Sequence, residues 1–137
     1  MSIVIDASAA LAWCFADERS TESQALLEYV SVNGAKVPQI WHLEVANALL
    51  VGEIKGRISK SHVREQLDNF DALPIIVDDK TTRNAWSDIF ELARQYGLTT
   101  YDASYIELAQ RLKQPLATRD KAMIAAAKKL GLELVRF

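Results

Sequence analysis

Short β-branched or apolar runs alternate with stretches of helical periodicity from one end of this 137-residue chain to the other, and this alternation constrains the fold more than any other feature. Ile3-Val4-Ile5, Lys36-Val37, Ile75-Ile76-Val77, Leu116-Ala117-Thr118 and Leu134-Val135 read as short strands. Between them, apolar residues recur every three or four positions. Ser8 would cap a helix carrying Leu11, Ala12 and Phe15. Thr21-Glu22-Ser23-Gln24 reads as a capping box for a helix with Leu26, Leu27 and Val30, stopped near Gly34. A helix over 41–55 would place Leu43, Ala46, Leu49, Leu50 and Ile54 on one side and end at Gly56. Ser59 or Ser61 opens the next, with Val63, Leu67, Phe70 and Leu73, and Pro74 stops it. Thr81 or Thr82 begins a helix through Trp86, Ile89, Phe90 and Ala93 that Gly97 closes. Another starts near Asp102 with Tyr105, Leu108, Ala109 and Leu112, and a last one follows Asp120 and ends at Gly131. Strands joined through helices pair in parallel and are covered on both faces. The expectation is one α/β domain over 1–137, a short parallel central sheet flanked by helices on both faces.

Composition narrows the function classes. The chain is 50% hydrophobic and 25% charged, with a formal net charge of −2 that argues against a basic nucleic-acid coat. Cys14 is the single cysteine, which excludes an internal disulfide and a cysteine zinc cage and fits a reducing, cytoplasmic setting. No apolar run approaches the ~18 residues of a membrane span, and the opening MSIVIDAS does not read as a signal peptide, so no membrane partner is expected.

In open parallel sheets, ligands bind outside the carboxyl ends of the strands, where the following helices begin. Six of the eighteen acids fall there; Asp78 and Asp79, after the strand at 75–77, read as a turn and helix-start device, which leaves four. Asp6 directly follows the first strand, Asp120 follows Thr118, Asp102 stands at a helix start after Thr99-Thr100-Tyr101, and Glu44 lies in the first turn of the helix after Val37-Pro38. Singly, Asp102 and Asp120 read more readily as helix caps and Glu44 as a solvated first-turn residue. Asp6, flush against a buried strand, needs partners. Jointly, four converging carboxylates repel one another unless a cation sits among them. Such hard oxygen ligands suit Mg²⁺ or Mn²⁺ and a substrate phosphate, which points to metal-dependent phosphodiester hydrolysis.

At these residues the chain resembles the PIN-domain ribonucleases, most closely the VapC-type toxins of bacterial toxin–antitoxin pairs. The resemblance rests on Val4-Ile5-Asp6-Ala7-Ser8, Leu43-Glu44-Val45-Ala46-Asn47-Ala48-Leu49, Thr100-Tyr101-Asp102-Ala103-Ser104-Tyr105 and Leu116-Ala117-Thr118-Arg119-Asp120, in that order over essentially the whole chain. It implies an endoribonuclease dependent on Mg²⁺, with Mn²⁺ able to substitute. Asp6, Glu44, Asp102 and Asp120 would form the metal-holding acidic cluster, and Thr118 would orient the attacking water or the carboxylates. It further implies a homodimer, a small cognate VapB-like antitoxin that blocks the site, and RNA of the translation machinery, such as transfer RNA, as substrate.

Weaker signals surround this set. Asn47, one turn after Glu44, would hold the Glu44 carboxylate or a water, or serve equally as a packed helix amide. Ser8 would bond a water at the site, or cap its helix. Arg119, Lys121, Lys55 and Arg57 are candidate RNA phosphate contacts, with ordinary surface charge as the alternative. His42 and His62 have no ligand spacing, Asp78 and Asp79 read as a turn, Cys14 reads as a buried small residue, and Trp13, Trp41 and Trp86 read as core or interface residues. Aspartyl phosphotransfer is disfavoured, because Ser8 stands where a dehalogenase-type site needs its second Asp. The alternative from a different class is a non-catalytic PIN-like module that sequesters a protein or RNA partner.

Overall fold

A computed structural model describes residues 1–137. Four strands, β1 (Ile3–Ile5), β2 (Ala35–Val37), β3 (Ile75–Val77) and β4 (Leu116–Ala117), form a parallel sheet in the order β3-β2-β1-β4. The register pairs Ile3 with Ala35, Val4 with Leu116 and Val37 with Val77. Successive strand side chains point to opposite faces. All three residues of β1 are buried, so both faces of the central strand are covered. The expected strand at Leu134-Val135 shrinks to one parallel bridge between Leu134 and Leu116 beside β4.

Eight helices cover the sheet: α1 (Ala7–Leu11), α2 (Thr21–Asn33), α3 (Trp41–Ile54), α4 (Lys60–Asp71), α5 (Thr81–Asn84), α6 (Asp88–Tyr96), α7 (Thr100–Leu112) and α8 (Lys121–Lys129). Their ends follow capping chemistry, with two shifts from expectation. The capping box of α2 is Ser20 with Ser23, one residue earlier than the expected Thr21–Gln24 set, because Ser20 takes the extended conformation that lets its hydroxyl reach the Ser23 N–H. Helix α1 is capped by Asp6 and not by Ser8, which lies inside its first turn. Gly97 closes α6 in the left-handed conformation at φ 65°, where a side chain would be strained.

The buried stripe of α3 is Trp41, Val45, Leu49 and Gly52. Of the expected face only Leu49 is inside, while Leu43 is 69% and Ile54 75% exposed. This helix is apolar on several sides, so periodicity alone favours no one face. Gly52 helps select the one used: a Cβ there would lie 2.8 Å from Cζ of the buried Phe15 ring. The helix expected through Trp86 is broken at residues 85–87, leaving Trp86 94% exposed. Two different anchors account for the break. Thr82 and Asn84 of α5 donate to Gln39 and Glu107, whereas α6 buries Ile89 and Ala93 with Ala103 of α7 in a separate apolar cluster. Trp13 and Trp41 do lie in the core, and Cys14 is buried there, its thiol pushed up to about 12, first by desolvation. No helix is long and apolar enough to cross a membrane.

Candidate active site

The site assembles where β1 and β4 hand over to α1 and α8. Asp6 is 5% exposed, and its carboxylate is held from three directions. The Ala9 N–H donates to Oδ1 at 3.1 Å, the Ser8 hydroxyl to Oδ1 at 2.6 Å, and the Thr118 hydroxyl to Oδ2 at 2.5 Å. Thr118 also accepts from the Asp120 N–H at 3.0 Å, and Ser8 accepts from the Arg119 N–H at 2.8 Å. These two hydroxyls therefore bolt the loop after β4 to the carboxylate after β1. Thr118 thus bonds the Asp6 carboxylate directly. Ser8 bridges Asp6 to the Arg119 backbone, which replaces its expected cap.

Glu44 reaches the same place from α3, whose first residue Trp41 is tied in by an indole N–H donating to the Asp6 carbonyl at 3.2 Å. Its carboxylate accepts from the Tyr105 hydroxyl at 2.5 Å. Asp102 sits in the first turn of α7, but Thr99 is the cap there, accepting from the Asp102 N–H at 3.0 Å. The cap reading for Asp102 is thus overturned. For Asp120 it holds: Oδ1 accepts from the Met123 N–H at 2.9 Å at the start of α8.

Charge ties the four acids together. Burial, opposed by bonds from Ser8, Thr118 and Ala9, leaves the Asp6 carboxyl above its ordinary range, with repulsion from Asp102 adding to the rise. Burial likewise raises Glu44, with Asp102 and Asp6 as further repelling charges. Asp102 is raised by burial and then by Asp120. None of the four has an ion-pair partner; every salt bridge lies elsewhere. No three His, Cys, Asp or Glu side chains form a ready-made metal cage. An open, all-oxygen donor set with uncompensated charge still fits Mg²⁺ or Mn²⁺, which retain several waters, and does not fit zinc.

These raised carboxyls have a measurable consequence. A group that holds its proton more tightly when folded favours the native state below its unfolded pKa of about 4, and that advantage is lost as pH rises through the raised folded value. Asp102→Asn removes one such charge. It is expected to raise the urea midpoint of the EDTA-treated protein at pH 7.5, with the gain over wild type shrinking as pH falls towards 4. A gain of equal size at both pH values would show that neither burial nor the neighbouring charge raises this carboxyl.

The other expected residues are placed differently. Asn47 is exposed one turn beyond Glu44 and bonds neither it nor any packed group; Tyr105 holds Glu44 instead. Arg57 pairs with Asp17 and Glu18 and stacks over Phe15 at 4.0 Å, a structural role. Arg119 donates to the Glu18 carbonyl at 2.9 Å and lies over Phe137, while Lys55 and Lys121 are exposed and in no salt bridge. Asp78 does form a turn, accepting from the Lys80 N–H, but it also receives both terminal nitrogens of Arg111, which bonds Glu107 as well. Sequence reading missed Tyr105 and Trp41 as site residues, because both sit at core-periodic positions. The available signal was a polar atom on each of these core residues, Tyr105 one turn after Asp102 and Trp41 one turn before Glu44.

Comparison with known proteins identifies the family. Ribonuclease VapC3 of Pyrobaculum aerophilum is 28% identical over 127 residues, covering 90% of this chain and 92% of that protein. Ribonuclease VapC1 of Mycobacterium tuberculosis is 30% identical over 92 residues, 67% of each chain. The crystal structure of PAE2754 from Pyrobaculum aerophilum shares the fold at a TM-score of 0.67 and 21% identity, covering 98% of this chain and 90% of that one. The PIN domain family model matches residues 3–129, a span that takes in all four strands and every acid of the cluster, and the chain accordingly belongs to the PIN domain family.

Proposed function

We propose that this protein is a metal-dependent endoribonuclease and the toxin of a toxin–antitoxin pair, acting on transfer RNA or another RNA of translation. The observation that carries the reading is the group of four mutually repelling carboxylates without a protein cation, gathered where α1, α3, α7 and α8 begin. Its similarity to Ribonuclease VapC3 and VapC1 supplies the reaction class.

In this reading Asp6, Glu44, Asp102 and Asp120 hold Mg²⁺, with Mn²⁺ able to replace it. A divalent ion in that position lowers the pKa of an attacking water and stabilises charge developing on the scissile phosphodiester. Asp6 supplies the most rigid anchor, because three hydrogen bonds leave it no freedom to swing. Thr118 keeps Asp6 and the Asp120 backbone in fixed relation. Asp120 spends Oδ1 on its helix, which leaves Oδ2 for the ion. Cleavage would leave a 5′-phosphate and a 3′-hydroxyl. Lys121, exposed at the start of α8 beside Asp120, would contact an RNA phosphate. A second copy and a small antitoxin are the expected partner chains, and the exposed Leu43, Leu50, Ile54 and Trp86 offer apolar surface for such contacts.

The test is cleavage of an end-labelled transfer-RNA pool by purified protein with Mg²⁺ or Mn²⁺. Discrete fragments that disappear with EDTA and with Asp102→Asn are expected. Metal binding without cleavage of any translation RNA would overturn the substrate assignment. Absence of both binding and cleavage would favour a sequestering module.

A further inference from the structure

We infer that Tyr105 is a positioning residue of the site, fixing the Glu44 carboxylate by donating its hydroxyl to Oε1 at 2.5 Å and leaving Oε2 for the ion. The inference rests on the reading that Glu44 holds the divalent ion.

The four acids differ in how they are held. Asp6 accepts three hydrogen bonds, and Asp120 is fixed as a helix cap. Asp102 is a short side chain on the rigid first turn of α7. Glu44 is the longest of the four, with the most rotatable bonds, and Tyr105 is its one hydrogen-bond partner. Without that bond its carboxylate would sample several rotamers while lying close to two other negative charges, and repulsion would drive it outward.

Tyr105 is well suited to prevent this. It is 1% exposed, and a buried phenol is stable only with a partner for its hydroxyl. It stands one helical turn after Asp102 on the same face of α7. One helix therefore carries both an acid of the cluster and the group that aims the acid arriving from α3. Any shift of α7 relative to α3 would move both together.

Outer-shell partners of metal ligands typically cost 10- to 100-fold in affinity when removed. The experiment measures Mn²⁺ binding calorimetrically to wild type, Tyr105→Phe, Glu44→Gln and the double variant, with urea denaturation in EDTA as the folding control. Tyr105→Phe should bind Mn²⁺ roughly 10-fold or more weakly. Added to Glu44→Gln, the same change should weaken binding further by less than about twofold, because the hydroxyl acts through Glu44. Equal weakening in both backgrounds would show a general packing role and overturn the inference. So would unchanged binding by Tyr105→Phe when Glu44→Gln binds weakly. If Glu44→Gln itself binds as wild type does, Glu44 is not a ligand, and the underlying reading falls together with this one.

Discussion

Asp6→Asn is expected to reduce metal-dependent RNA cleavage by more than about 100-fold, above the range that loss of an outer-shell partner produces. Asp6 is the acid at which the site's connections meet. It caps α1, receives the hydroxyls of Ser8 and Thr118, and through its backbone carbonyl receives the Trp41 indole that starts the Glu44 helix. Asparagine keeps the shape and one acceptor oxygen for the Ala9 N–H, so α1 stays capped. The charge that would hold a divalent ion is gone. Removing a buried charge repelled by Asp102 also relieves the folded protein, so activity should fall while the urea midpoint in EDTA does not. Activity within tenfold of wild type, with the fold intact, would remove Asp6 from the catalytic set.

The largest effect on stability is expected at a position with no part in catalysis. Arg111 on α7 bonds Asp78 after β3 through both terminal nitrogens and Glu107 one turn back, with Asn84 of α5 completing the set on Glu107. The side chains of Asp78 and Glu107 are only 11% and 6% exposed. Arg111→Met keeps much of the apolar stem but strands two nearly buried carboxylates. Breaking such a pair costs about 3–5 kcal/mol, and the 26% exposure of the Arg111 side chain argues for the lower end, about 3 kcal/mol by urea denaturation at pH 7. Adding Asp78→Asn and Glu107→Gln should recover most of the loss, since amides need no counter-charge. The pH dependence runs opposite to that of the acidic cluster. Burial tends to raise the Asp78 carboxyl, but hydrogen bonds from Arg111 and Lys80 and their positive charge outweigh it, leaving it below the ordinary range. Its contribution is present above the unfolded value of about 4 and is lost as pH falls through the lower folded one. The gap between wild type and Arg111→Met should therefore narrow below pH 4. A deficit under 1 kcal/mol at neutral pH would show that the network is dispensable.

Side-chain periodicity located every strand and most helix ends because those features depend on near neighbours in the chain. Ile3-Val4-Ile5 has no polar residue to expose, so it must be a strand buried on both faces. Pro74, Gly34 and Gly97 stop helices by their own backbone chemistry. The acids were legible for a related reason: parallel strands must direct their carboxyl ends, and whatever follows them, to one side. That rule points to Asp6, Glu44 and Asp120, each after a strand, whereas Asp102 follows helix α6 and was singled out only as a helix-start acid in a family-like motif.

Where two good local answers exist, local sequence could not choose between them. Helix α3 offers two apolar stripes, and the one beginning at Trp41 is buried because Gly52 lets Phe15 approach. Helix periodicity continues through Trp86, yet the chain breaks there because its two halves dock on different anchors. Asp102 and Asp120 look alike as helix-start acids, but Thr99 relieves Asp102 of capping and nothing relieves Asp120. Tyr105 reads as one more core aromatic until Glu44, 61 residues earlier in the chain, is brought against its hydroxyl. By itself the sequence determined the elements, their parallel arrangement and the edge where the acids gather, since these follow from backbone chemistry and burial over a few residues. Which groups hold, cap and aim those acids was decided only by tertiary structure, because each such contact joins residues that no local rule relates.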